Sequence, residues 1–188
     1  MVHTVGSPWQ VRDECGRRKY LNEGERSAFL TAADDFDPPS RALLYVLVYT
    51  GCRISEALAL VPFQLDTDQL TITFRTLKRR RTVFRFVPVP PDLMHMLLAL
   101  ARPGAEQLWS LHRTTAWRLV KRAMGRAGIE GPMACCRGLR HGFGIRAASR
   151  SVPPNIIQRW MGHASLATTS IYLDAVGAEE RAFAKRMW

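Results

Sequence analysis

Apolar positions recur along this chain at helical spacing, then at strand spacing, then at helical spacing again. Residues 1–19 are polar and aperiodic, so they read as a lead-in. Asn22, followed three residues later by Glu25, carries a capping-box signature and predicts a helix with Ala28, Phe29, Ala32 and Ala33 on its inner face. Pro38 and Pro39 are expected to break it. Residues 41–49 are nearly all apolar and predict a buried helix, interrupted at Gly51 and resumed over 54–60. The period then changes. Leu70, Ile72 and Phe74 alternate with Thr71 and Thr73, as in a half-buried strand, and Val83, Phe84, Phe86, Val87 and Val89 predict a second strand ended by Pro88, Pro90 and Pro91. Between them Lys78, Arg79, Arg80 and Arg81 are expected to form a basic turn.

Helical spacing returns over 92–101, with Asp92 as the expected cap. The strongest amphipathic pattern runs over 114–127: Leu119, Val120, Ala123, Met124 and Ala127 face inward. Arg118, Arg122 and Arg126 step along the outer face, and Gly128 supplies the stop. Further helices are expected over 140–149, from Asn155 as cap to Met161 with Gly162 as the stop, over 170–176, and over 179–188. There is no internal repeat and no linker. The pattern is that of one mainly α-helical domain with a small antiparallel β-sheet.

Composition narrows the function. Of 188 residues, 47% are hydrophobic, with eight Phe and five Trp, enough for a real core. Lys and Arg number 27 against 16 Asp and Glu, a formal charge of +11, which points to a polyanionic partner. No segment approaches the roughly 18 apolar residues of a membrane span. The start of the chain lacks a basic stretch followed by an apolar run, so a soluble, cytoplasmic protein is expected. Cys15 and Cys52 are isolated and Cys135 and Cys136 adjacent, unlike the spacing of zinc ligands, so reduced thiols are expected.

The basic residues fall into two runs. Between Arg75 and Arg85 there are six and no acid; between Ser110 and Arg150 there are nine against Glu130 alone. Nucleic acid accounts for such one-sidedness better than a solvated face does. Arg53 follows a glycine break inside an apolar region, so it needs an anion: either Glu56, three residues on, pairs with it, or Glu56 orients it as a phosphate clamp. Arg137 and Arg140, three apart, share a helical face and are placed to reach one phosphate.

Taken in order, Gly51-Cys52-Arg53-Ile54-Ser55-Glu56, a hairpin lysine at Lys78, Leu139-Arg140-His141, Met161-Gly162-His163 and Thr168-Thr169-Ser170-Ile171-Tyr172 resemble the tyrosine recombinase (phage integrase) family. The resemblance covers residues 20–176, the family's catalytic domain, with 1–19 as lead-in and 177–188 as a C-terminal helical tail exchanged between subunits or packed on its own domain. It implies that Arg53 and Arg140 hold the non-bridging oxygens of the scissile phosphate, that Lys78 protonates the departing 5′ oxygen, that His163 donates to the phosphate and that Tyr172 is the nucleophile, forming a 3′-phosphotyrosine. It implies no metal and no other cofactor. The implied partner is double-stranded DNA, met by a free monomer that forms a tetramer on paired sites, in a bacterial, nucleoid-associated setting. Arg79, Arg80, Arg81, Arg118, Lys121, Arg122 and Arg126 are the implied DNA contacts.

Such residue types suit the reaction. Guanidinium groups neutralise charge gathering on phosphate oxygens, and a phenol attacks once its anion is favoured. Two features depart from the family. Arg137 stands where a histidine is usual three residues before the second arginine; arginine donates to phosphate but is a poor proton acceptor, so His163 or solvent would have to substitute as base. Most members also carry a helical domain ahead of the catalytic one, which implies a minimal recombinase, a truncated one or a fragment. Two rivals follow: a DNA-binding regulator of the same fold without catalysis, favoured by Arg137, and a type IB topoisomerase-like enzyme.

Overall fold

The protein is described here from a computed structural model, which covers residues 10–78, 81–102 and 106–173, the side chains of 76–78 and 81–82 excepted. Among these residues the chain forms eight helices and a three-stranded sheet. This is the expected mainly α fold with a small antiparallel sheet.

Helix α1 (Glu23–Asp34) starts as its capping box predicts. The Asn22 side chain accepts the Glu25 N–H at 2.8 Å, and the Glu25 carboxylate accepts the Asn22 N–H at 2.8 Å. The lead-in is partly structured: Arg12 and Arg18 form an antiparallel bridge, and the Arg18 guanidinium donates to Glu25 at 3.0 Å. Helix α1 ends at Asp34 as the break over 34–39 predicts, and Pro38 and Pro39 open α2 (Pro38–Thr50), where a missing N–H is no loss in a first turn. Asp37 caps it by accepting the Ser40 N–H. The apolar run of α2 is buried at Ala42, Leu43, Leu44, Val46 and Leu47, and Gly51, left-handed at φ 58°, closes it.

A short α3 (Ile54–Leu58) and a 3-10 turn (Pro62–Gln64) lead into the sheet. Strand β1 (Leu65–Asp66), too short to show a period, was not expected; β2 (Thr71–Lys78) lies between it and β3 (Arg81–Pro88). Lys78 pairs with Arg81, so these two close the hairpin where the basic turn is expected. Arg79 and Arg80 lie outside the described residues. The inner face of the hairpin holds Ile72, Phe74, Val87 and, against the apolar reading of β3, Arg85; Phe84 and Phe86 face outward.

The remaining helices are α4 (Pro91–Leu100), α5 (Arg113–Arg126), α6 (Cys136–Ser149), α7 (Pro154–Met161) and α8 (Ala167–Leu173). Pro90 and Pro153 occupy the cap positions of α4 and α7, so Asp92 and Asn155 sit inside first turns and are not caps. Helix α6 begins four residues earlier than expected. Gly138 hides that start in the sequence, yet only glycine fits there: a Cβ would come within 1.9 Å of the Met133 carbonyl oxygen. The tail, 177–188, lies outside the described residues.

Buried side chains gather into a main core around α2, reaching Leu93, Leu97, Val120 and Leu139, and a satellite of Ala147, Ala148, Ile157, Met161 and Tyr172. Helix α6 belongs to both and carries the site between them.

Candidate active site

The turn after α2 places Arg53 at the start of α3, where the Glu56 carboxylate accepts both its backbone N–H at 2.8 Å and its guanidinium at 2.9 Å. The same carboxylate takes two hydrogen bonds from Arg85, at 2.6 and 3.1 Å. Arg85 is only 3% exposed; its guanidinium lies over the Phe74 ring, and its Nε donates to the Trp160 carbonyl at 2.8 Å. One buried carboxylate is thus shared by two guanidiniums. Burial pushes Glu56 up, but the hydrogen bonds and charge of Arg85, then those of Arg53, outweigh it and hold the carboxyl at about 2. A cleft of about 850 Å³ opens beside Arg53, lined also by Phe63, Arg75, Phe84 and Gln107.

Arg140, 6% exposed, has no carboxylate partner of this kind among the described residues. Its guanidinium donates to the Gly51 carbonyl at 2.7 Å and the Met161 carbonyl at 2.6 Å, so it spans the C-terminal ends of α2 and α7. Helix C-termini carry partial negative charge and favour a cation without neutralising it. Burial and the nearby Arg53 lower the Arg140 pKa to about 10, which leaves it charged at neutral pH.

Tyr172, on α8, is fully buried. Its ring packs flat against Gly144 of α6, where a Cβ would lie 2.7 Å from the ring edge, and stacks on His163 with centroids 5.9 Å apart. Its hydroxyl lies 3.1 Å from His141 Nδ1. Burial raises the phenol to about 12, while Arg140 and Arg53 pull it down. His163, also buried, sets Nδ1 2.9 Å from Thr169 Oγ1. Among the described residues no three His, Cys, Asp or Glu side chains cluster as metal ligands.

Of the expected site residues, Arg53, Glu56, Arg140, His163 and Tyr172 converge. Arg137 does not share the buried position of Arg140: it is exposed in the first turn of α6. The Lys78 side chain lies outside the described set. Arg118, Lys121, Arg122 and Arg126 are exposed on α5, but Lys121 donates to the Ala134 carbonyl at 2.9 Å, and Arg122 and Arg126 lie over the Phe36 ring. Arg85 leaves the basic hairpin run and joins the site from behind. Sequence reasoning missed Arg85, hidden among like charges, and His141, passed over as a neighbour of Arg140.

The Phage integrase family model matches residues 19–178. Over 181 residues the chain is 32% identical to the tyrosine recombinase XerD of Xanthomonas axonopodis pv. citri (strain 306), matching 82% of this chain and 57% of that protein. The chain thus spans about half the length of the curated relatives it matches. The XerA recombinase structure is similar with a TM-score of 0.76 and 25% identity, covering 89% of this chain and 64% of XerA. The catalytic domain of bacteriophage HP1 integrase, at 22% identity and a TM-score of 0.67, shares the fold over 88% of this chain and 93% of that domain. Every helix and strand described above falls inside residues 19–178, and the chain belongs to the phage integrase family.

Proposed function

We propose that residues 20–176 form the breaking-and-rejoining domain of a site-specific DNA recombinase, with double-stranded DNA as its substrate. Arg53 and Arg140 hold the two non-bridging oxygens of the scissile phosphate. Glu56 orients Arg53. The Tyr172 oxygen attacks phosphorus as the bond to the 5′ oxygen breaks; that oxygen leaves with a proton from Lys78, and the 3′ end stays on Tyr172. Attack by a 5′ hydroxyl on the phosphotyrosine reverses the step and rejoins the strands. Bond energy is stored in the ester throughout. Arg79, Arg80, Arg81 and the exposed arginines of α5 grip the flanking duplex.

The observation that carries this reading is a buried Tyr172 in contact with two buried histidines and within reach of the charges of Arg53 and Arg140. A pure DNA binder has no need of a phenol there. The test is covalent trapping: wild type and Tyr172→Phe are mixed with supercoiled and nicked plasmid carrying the DNA that flanks the gene. A detergent-stable adduct lost in Tyr172→Phe is the expected result. DNA binding without any adduct would favour a regulator that has lost catalysis, the reading Arg137 supports.

A further inference from the structure

When the Tyr172 oxygen attacks phosphorus its proton needs an acceptor, and Arg137 stands where the family's histidine is usual. An arginine is charged at any ordinary pH and takes no proton. One helical turn further along α6, His141 sets Nδ1 3.1 Å from the Tyr172 hydroxyl. We infer that His141 is a catalytic residue of this chain, the general base that takes the Tyr172 proton on cleavage and returns it on rejoining. The inference rests on the recombinase reading above.

The geometry suits the role. A neutral imidazole with its proton on Nε2 presents a free Nδ1 lone pair to the Tyr172 hydroxyl. The hydroxyl meets this acceptor directly, and the charges of Arg140 and Arg53 reach it as well. His163 stacks on the Tyr172 ring and sets its Nδ1 against Thr169, while His141 presents its own Nδ1 to the hydroxyl. In the step, the O–H proton passes to Nδ1 as the O–P bond forms; the electron pair of the P–O5′ bond goes to O5′, which takes its proton from Lys78. On rejoining, the imidazolium returns its proton to the tyrosine oxygen.

The surroundings of His141 also explain why the base stays idle without DNA. Arg137 and Arg140 on its own helix and Lys19 ahead of α1 face it with positive charge, and Tyr172 faces it from α8. Burial and those three cations hold the ring at about 4, below its ordinary 6.5. A phosphate seated between Arg53 and Arg140 cancels part of that positive field and strengthens the base when substrate is in place.

The test uses the full chain and a duplex of the gene's flanking DNA with sulfur at the bridging 5′ position of the cleavage site mapped with wild type. A thiolate leaves without a proton, so this substrate reports activation of the nucleophile alone. His141→Gln is expected to form adduct about 100-fold more slowly than wild type on both oxygen and sulfur substrates. Its rate should climb with pH as hydroxide replaces the lost base, and adding Arg137→His should restore it. Lys78→Ala should be slow on oxygen and recover on sulfur. A His141→Gln protein that cleaves at nearly the wild-type rate, or that recovers on sulfur, overturns the inference. If the variant does not fold, wild type decides: on sulfur its rate should level off once the histidine is neutral, and a rate still climbing steadily through alkaline pH overturns the assignment. Wild type that binds DNA but gives no adduct removes the recombinase reading itself, a result distinct from failure of His141 alone.

Discussion

Glu56 accepts hydrogen bonds from both Arg53 and Arg85, so protonating its one carboxylate weakens both contacts at once. Its folded-state pKa of about 2 lies below the ordinary 4.5, so its ionisation favours folding. That contribution is complete above pH 4.5 and is lost as pH falls towards 2. Unfolding by denaturant at a series of pH values should show Glu56→Gln flattening the stability curve in this window. His141 shifts stability in the same direction but higher. Held neutral at about 4 against 6.5, it leaves stability untouched above pH 6.5 and destabilises the fold progressively as pH falls to 4, because the unfolded chain takes up the proton first. His141→Gln should flatten that upper window only. Arg85→Met, which strands a buried carboxylate on one side, should cost about 3 kcal/mol of stability by the same measurement. Much less further loss should follow when Glu56→Gln is added, since the two act through one contact.

Helix α6 brings Arg140, His141 and the Gly144 platform for Tyr172 to one place, and its packing is tight. Gly144→Ala would set a methyl 2.7 Å from the Tyr172 ring, so the ring must move. The expected result is a loss of about 1–3 kcal/mol from overpacking, together with falling adduct yield at unchanged DNA affinity, read by thermal melting, trapping and gel shift. How far such elements were legible depended on whether local chemistry decided them. The capping box of α1 and the inward stripe of α5 announced themselves through side-chain spacing. The start of α6 did not, because its glycine is explained only by the Met133 carbonyl pressing on it from outside the helix. Proline caps on α4 and α7 misled for a similar reason: Asp92 and Asn155 have the right chemistry two positions too late. In the site, Arg53, Arg140, His163 and Tyr172 were legible through the spacing of several motifs. Arg85 was not, since a buried arginine in a basic run is distinguished only by the carboxylate that folding brings to it from 29 residues away.

Across the whole molecule, the charge of +11 makes proposed DNA binding a salt-sensitive event. Affinity should fall steeply and linearly on a log–log plot against salt. Arg118→Ala, on the exposed face of α5, should lower the slope by about 1 if it meets a phosphate; fluorescence anisotropy with a labelled duplex measures it. The division of the interior into a main core and a satellite bears on motion as well. Tyr172 is locked in the satellite, whose other members come from α6 and α7, while α2 and its neighbours form a separate and larger body. Cooperative units of unequal size open at unequal free energies. Amide hydrogens of α7 and α8 should therefore exchange with deuterium through a partial unfolding that leaves those of α2 protected until the whole chain unfolds. DNA whose phosphate seats between Arg53 and Arg140 beside Tyr172 should then hold the smaller unit closed, slowing exchange in α7 and α8 while α2 changes little.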